Sequence, residues 1–312
     1  MNYTRLVNSL VRGDRKAAAK LISIVEDEEK GYTDAMKLVY ARTHGAEVIG
    51  FTGSAGVGKS TLVAQIAAAI RRQGKKLGII AVDPTSPISG GAILGDRIRM
   101  PEIAADENIF MRSMGSRGGS GGLSTHALSA VRILDAMGCD TILVETVGAG
   151  QTQVDIMNAA DTVVVVTMPG AGDEVQSIKA GLLEIADIYV VNKMDMQGAE
   201  LMAEQLASML ELVEQWEGWK PPVLLTSANT GKGIPMLIEK LEEHRKYMTG
   251  TVATERRMRQ AKREIYTLLF NEIERRLSER IEQRHLDEML SKIVEKKMSP
   301  YEAAEQLASA LK

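Results

Sequence analysis

The chain has 312 residues, 45% of them hydrophobic, enough for one large core with extensions. Its 38 Lys and Arg against 41 Asp and Glu leave a formal net charge of -3, so no global field draws it to nucleic acid or to an anionic membrane. No apolar run approaches membrane-spanning length, no apolar signal segment opens the chain, and the single cysteine, Cys139, excludes an intramolecular disulfide and a cysteine-rich metal site. These features predict a cytoplasmic protein without nucleic-acid or membrane partners.

Residues 3–29 carry Leu6, Leu10, Ala17, Leu21 and Ile24 at helical spacing and predict one helix; residues 33–43 predict a second. Together they make an N-terminal helical extension over residues 1–46. From 47 to 248 the runs AEVIGF, LGIIAVD, NIFMRS, TILVET, TVVVVT, IYVVNK and PVLLTS alternate with helix-like segments. Most are rich in Val and Ile and do not alternate strictly with polar residues, as expected of strands buried on both faces. The prediction is an α/β domain with a mostly parallel central sheet and right-handed crossovers.

The first run feeds GSAGVGKS, which fits G-x-x-x-x-G-K-[ST] between a strand and a helix. Gly53, Gly56 and Gly58 allow tight curvature, so the backbone N–H groups of Gly53, Ser54, Ala55, Gly56, Val57 and Gly58, with the helix start through Thr61, can surround phosphate oxygens. Lys59 can reach the β- and γ-phosphates, and the Ser60 hydroxyl can ligate Mg²⁺. A glycine-rich turn that binds nothing, or one that binds a dinucleotide, does not call for Lys-Ser at the helix start.

Asp83 ends the second run, Glu145 lies near the end of TILVET, and Gly148 follows three residues later. Both acids fall at carboxyl ends of strands, where ligands bind in open parallel sheets. For Asp83, helix capping and metal chemistry both stay open. Glu145 through Gly148 can couple a metal to the γ-phosphate, with the Gly148 amide sensing it. Between them lie glycine- and serine-rich segments with Asp96, Arg97, Arg99 and Arg117. Asp96 can ligate Mg²⁺ or position the attacking water; an arginine here either neutralises transition-state charge or is a solvated loop residue. Ala149 stands where a Ras-like glutamine would directly follow Gly148, which predicts slow intrinsic hydrolysis stimulated by a partner. The stretch from Met168 to Gly181 offers Asp173, Glu174 and Lys179 for ion-pair exchange.

The base is specified at Asn192-Lys193-Met194-Asp195. A carboxylate at Asp195 matches the N1–H and exocyclic amino donors of guanine, a pair adenine lacks. Asn192 can hold neighbouring loops and the Lys193 stem can cover the base. Ser227-Ala228-Asn229 can present a backbone N–H to the guanine oxygen. The set favours GTP over ATP.

Residues 249–312 are charged but periodic. Ile265, Leu268 or Leu269, Ile273, Leu277 and Ile281 form a long stripe that needs a covering surface, and a short helix, YEAAEQLASAL, follows MSP. This predicts a C-terminal helical dimerisation arm. His44, His126, His244 and His285 show no metal spacing.

In this order, GSAGVGKST, VDPTSPISGGAILGDRIRM, SRGGSGGLS, ETVGAGQ, MPGAGDEVQSIKAG, NKMD and SAN resemble the MeaB/ArgK family, P-loop GTPases similar to metallochaperones and associated with methylmalonyl-CoA mutase. The resemblance implies a P-loop NTPase fold and a homodimer formed through the C-terminal arm. It implies GTP hydrolysis to GDP with Mg²⁺, coupled to adenosylcobalamin loading and protection of a cobalamin-dependent acyl-CoA mutase. It also implies that Lys59 and Ser60 belong to the phosphate site and that Asp83, Asp96 and Glu145 fall in metal and switch regions. Lys179 then falls in an additional switch loop, while Asn192 and Asp195 carry guanine specificity. Two segments depart from the commoner family wording: TQVDIMN, and Gly119-Ser120 in place of a His-Leu pair. A nickel-insertion GTPase would need a soft or imidazole-rich transfer site, against which one cysteine and four scattered histidines argue. A dimeric GTP-binding scaffold is the other alternative.

Overall fold

Each of the seven apolar runs forms a strand: β1 Glu47–Thr52, β2 Leu77–Asp83, β3 Ile109–Gly115, β4 Thr141–Thr146, β5 Thr162–Thr167, β6 Ile188–Val191 and β7 Val223–Leu225. The computed structural model describes residues 1–83, 103, 105–115, 125–146, 160–170, 185–212, 216, 218–280 and 283–309. Every pairing is parallel, and the order is β3-β2-β4-β1-β5-β6-β7. The chain leaves β1 toward β2 on one side and returns past it from β4 to β5. The carboxyl end of β1 therefore sits where the order reverses, the usual place for a ligand crevice.

Side chains alternate between two apolar clusters. Ile49, Phe51, Leu143, Val164 and Val190 pack with α4 (Lys59–Arg72) and α7 (Ile234–Tyr247). Val48, Ile142, Val144, Val163 and Val191 pack on the other face with α5 (Thr125–Ala136) and α6 (Ala199–Glu211). Covering both faces explains why the strand runs read as continuous Val and Ile. The same second cluster takes Leu10, Leu21, Ile22 and Val39 from α1 (Tyr3–Val11), α2 (Arg15–Glu26) and α3 (Tyr32–Tyr40).

The single helix expected over residues 3–29 is instead two. Gly13 takes φ 85°, and the Asp14 carboxylate accepts from Lys16 N at 2.8 Å and Ala17 N at 3.3 Å, starting α2 afresh. A glycine with left-handed φ followed by an N-cap aspartate overrides a continuous apolar period.

Met1–Arg257 forms one compact unit and Met258–Lys312 a second. Helix α8, Gly250–Arg280, begins in the first and runs into the second, which also holds α9, Gln283–Val294, and α10, Pro300–Ser309. Of the predicted stripe, Ile265, Leu268 and Leu269 are exposed. Ile281 lies outside the described residues.

Aspartates close the amino-terminal rim of the sheet. Asp140 accepts from Lys76 N at 2.7 Å, Asp161 from Val48 N at 2.9 Å and Asp187 from Val163 N at 2.7 Å. Asp187 also takes two bonds from Arg256 on α8, at 3.0 and 2.9 Å, and lies 3.3 Å from His244 Nε2. Burial pushes the Asp187 carboxyl up, but His244 and Arg256 outweigh it and hold the group below its ordinary value. Because folding lowers this pKa, the stability it contributes is full above about pH 4, the unfolded value, and is lost as pH falls through the folded one. Asp187→Asn is expected to cost about 3 kcal/mol at pH 7, because the half-buried Arg256 is left without its counter-charge. Denaturant unfolding at pH 7 and at about pH 2, below the unfolded value, reads both the loss and its shrinkage toward acid.

Candidate functional site

The loop after β1 is built on two tight contacts. Gly53 has φ 139°, and a Cβ there would stand 1.9 Å from the Val166 carbonyl oxygen. Gly58 has φ 93°, and its Cβ would meet Asn192 Nδ2 at 2.5 Å. Glycine at both positions lets the loop lie against β5 and Asn192 before α4 starts at Lys59. Gly58, the N-cap, supplies no side-chain bond to the first turn of α4, so the helix opens onto the loop with backbone N–H donors.

Lys59 is buried, and its ammonium donates to the carbonyls of Gly53 at 2.7 Å and Ser54 at 2.8 Å. An anion entering the loop competes with these carbonyls for a charge already at hand. Beside it, Ser60 Oγ donates to Glu145 Oε1 at 2.7 Å. Glu145 is buried at the end of β4. A hydroxyl oxygen and a carboxylate oxygen in contact are hard donors of the kind Mg²⁺ takes alongside phosphates and water. Among the described residues no three His, Cys, Asp or Glu side chains converge as a metal cage. The residues present thus fit a Mg²⁺ ion completed by a nucleotide. Asp83 ends β2 two residues beyond Ala81, which is in register with Glu145. Asp96, Gly148 and Lys179 lie outside the described residues, as do Arg97, Arg99, Arg117, Ala149, Asp173 and Glu174.

A second arm of the site is organised by Asn192. Its buried amide donates from Nδ2 to the Val57 carbonyl at 2.8 Å. Its Oδ1 accepts from Ala228 N at 3.0 Å and from the Thr226 hydroxyl at 3.1 Å. One side chain therefore joins the phosphate loop to the segment after β7. Within Ser227-Ala228-Asn229, the Ala228 N–H is directed to Asn192. Lys193 adopts φ 57°, and its ammonium donates to the Gly56 carbonyl at 2.9 Å, so its stem lies along the loop. The turn continues through Met196 N, bonded to Lys193 O at 2.8 Å, and leaves the Asp195 side chain exposed. Ser227 is buried and bonded to the Lys232 carbonyl through its own N–H at 2.9 Å, while Asn229 is exposed. Thr226 escaped the sequence reading; its only signal was a threonine directly before Ser-Ala-Asn.

Residues 18–282 match the family model described as methylmalonyl-CoA mutase-associated GTPase MeaB. The chain belongs to the MeaB family. A Pyrococcus horikoshii protein named as a GTPase is 48% identical over 308 residues, covering 96% of this chain and 95% of its own length. The mouse methylmalonic aciduria type A homolog, mitochondrial, is 29% identical over 333 residues, covering 99% of this chain and 79% of its own. A crystal structure of an LAO/AO transport system kinase aligns with a TM-score of 0.73 at 23% identity, over 99% of this chain and 97% of that one, and shares the P-loop NTPase fold. As a member of the MeaB family, this chain binds guanine nucleotide and hydrolyses GTP to GDP and phosphate.

Proposed function

We propose that this MeaB-family GTPase couples GTP binding and hydrolysis to adenosylcobalamin loading and protection of a cobalamin-dependent acyl-CoA mutase, namely methylmalonyl-CoA mutase. The observation that carries this reading is the mutase-associated family description, which spans residues 18–282. The name of the mouse relative points to the same metabolism. The protein works in the cytoplasm as a homodimer joined by its C-terminal arm, whose exposed Ile265, Leu268 and Leu269 suit a covered helix face.

Within this reading the loop from Gly53 to Thr61 cradles the phosphates and Lys59 neutralises the γ-phosphate. Ser60 and Glu145 hold Mg²⁺, with Asp83 and Asp96 in the same region. Bound Mg²⁺ neutralises charge that develops between the β- and γ-phosphates. Gly148 senses the γ-phosphate, and Lys179 relays the nucleotide state to the mutase. Asn192 fixes the guanine arm, Lys193 covers the base, Asp195 reads it, and the segment Ser227-Ala228-Asn229 borders it.

The test is GTP hydrolysis by the full chain, its mass first fixed by sedimentation, with and without the host's mutase. The mutase is expected to raise the rate by at least about tenfold, modest beside what a partner-supplied group gives other GTPases. By linkage, GTP and GDP should then change mutase affinity to different extents. Lys179→Ala should keep GTP binding and lose the stimulation. No complex, an unchanged rate and cobalamin loading indifferent to nucleotide would reject the chaperone role.

A further inference from the structure

The Ser60–Glu145 contact depends on how the end of β4 is held against the end of β1. Those two strands are joined by a parallel ladder whose last pair is Phe51 and Glu145. One residue further on, Thr52 pairs with Val165 of β5 instead. Beyond that point β1 becomes the phosphate loop at Gly53, so the ladder stops at the residue whose carboxylate meets Ser60.

A pair of hydroxyls extends the join. Thr146 Oγ1 lies 3.2 Å from Thr52 Oγ1 and 3.4 Å from the Phe51 carbonyl oxygen. Thr52 is 0% exposed and Thr146 1%, so water does not compete for these bonds. The Thr146 proton is shared between two acceptors on the last two residues of β1. Strand alternation decides what this pair can touch. Phe51 and Leu143 face α4, the side on which Glu145 meets Ser60. Val144 and Val48 face the opposite cluster, so Thr146 and Thr52 share that reverse face. Among the described residues, the bonds of the Thr146 hydroxyl go to the end of β1 and not to the phosphate loop. Whatever they do for the site they do through the backbone of Glu145 and Thr52.

We propose that Thr146 is a positioning residue: its hydroxyl bridge to the end of β1 keeps Glu145 aligned with Ser60 and thereby sets the affinity of the nucleotide complex for Mg²⁺. The inference rests on the reading that Ser60 and Glu145 take that ion. Mg²⁺ demands near-octahedral oxygen geometry at short range, so a shift of a few tenths of an ångström at one ligand weakens it. Val replaces Thr in nearly the same volume but cannot donate, whereas Ser keeps the donor.

The experiment uses the full chain loaded with N-methylanthraniloyl GDP, whose release is followed across a Mg²⁺ titration without any hydrolysis. Wild type is compared with Thr146→Val, Thr146→Ser, Thr52→Val and Glu145→Gln, and the melting temperature of each nucleotide-free protein is recorded. Thr146→Val is expected to raise the Mg²⁺ concentration for half-maximal retention by about fivefold, the worth of one buried hydrogen bond. Thr146→Ser should restore the wild-type value, and Thr52→Val, which removes one of the two acceptors, should shift it in the same direction as Thr146→Val. If Thr146→Val does not fold, Thr52→Val carries the comparison. A shift in Glu145→Gln with none in either threonine-to-valine variant would overturn the positioning role and leave the metal reading standing. An unshifted Glu145→Gln would overturn both. A lower melting temperature without a changed Mg²⁺ requirement would make the pair structural and also overturn the proposal.

Discussion

Lys59→Ala is expected to lower the rate of GTP hydrolysis by at least about 10²-fold, the cost of losing one preorganised donor to developing charge. The effect is large because the ammonium is already inside the loop, bonded to the Gly53 and Ser54 carbonyls and shielded from water. Low local dielectric makes such a charge worth more than it is in bulk solvent, and only a short swing of the ammonium from the two carbonyls is needed when phosphate arrives. A lysine suits the place because it is a compact charge on a flexible stem, able to leave two carbonyls for phosphate oxygens. Lys59→Arg is therefore not expected to rescue, because a rigid planar fork does not present the compact, freely rotating charge of an ammonium. Single-turnover phosphate release, with circular dichroism to confirm folding, measures the loss. A folded Lys59→Ala protein that hydrolyses GTP at the wild-type rate removes Lys59 from catalysis.

Much of this architecture is written locally. The seven strand runs are legible because a sheet covered on both faces demands unbroken apolar residues, and Val and Ile satisfy both clusters at once. The phosphate loop is legible because its constraints are backbone constraints, and only glycine meets the contacts at Gly53 and Gly58. What stays hidden joins residues far apart in sequence. Nothing local announces that Arg256 and His244 converge on Asp187. Nor does anything local in Ser-Ala-Asn announce that the Ala228 N–H goes to Asn192, 36 residues away. Thr146 reads as an ordinary β-branched residue, because its contact with Thr52 exists only once β1 and β4 are neighbours. The helix expected over residues 3–29 is broken for a local reason: Gly13 and the Asp14 N-cap interrupt the apolar period.

Asp195→Asn is expected to weaken GTP binding by roughly 10²–10³-fold, since two charge-assisted hydrogen bonds are worth about 1.5–3 kcal/mol each. The backbone that carries Asp195 is held on both sides, by Met194 N to Thr226 O at 2.9 Å and Met196 N to Lys193 O at 2.8 Å. Its side chain is exposed and open to a base, and with the backbone already fixed only the side-chain rotamers remain to be ordered on binding. Guanine presents N1–H and an exocyclic amino group side by side, and an ionised carboxylate accepts both. Asparagine accepts one and turns its own N–H₂ toward the other donor, so the loss exceeds that of a single bond. The same geometry predicts a gain elsewhere. Xanthine carries a carbonyl where guanine carries the amino group, and the asparagine N–H₂ matches it. Asp195→Asn should therefore bind xanthosine triphosphate better than GTP, while wild type prefers GTP over both xanthosine triphosphate and ATP. Calorimetric titration of the three nucleotides against both proteins reads the exchange. Equal affinity of wild type for GTP and ATP, or a variant that loses GTP without gaining the xanthine nucleotide, would remove Asp195 as the reader of the base, the second result because general damage to the turn lowers all three affinities together.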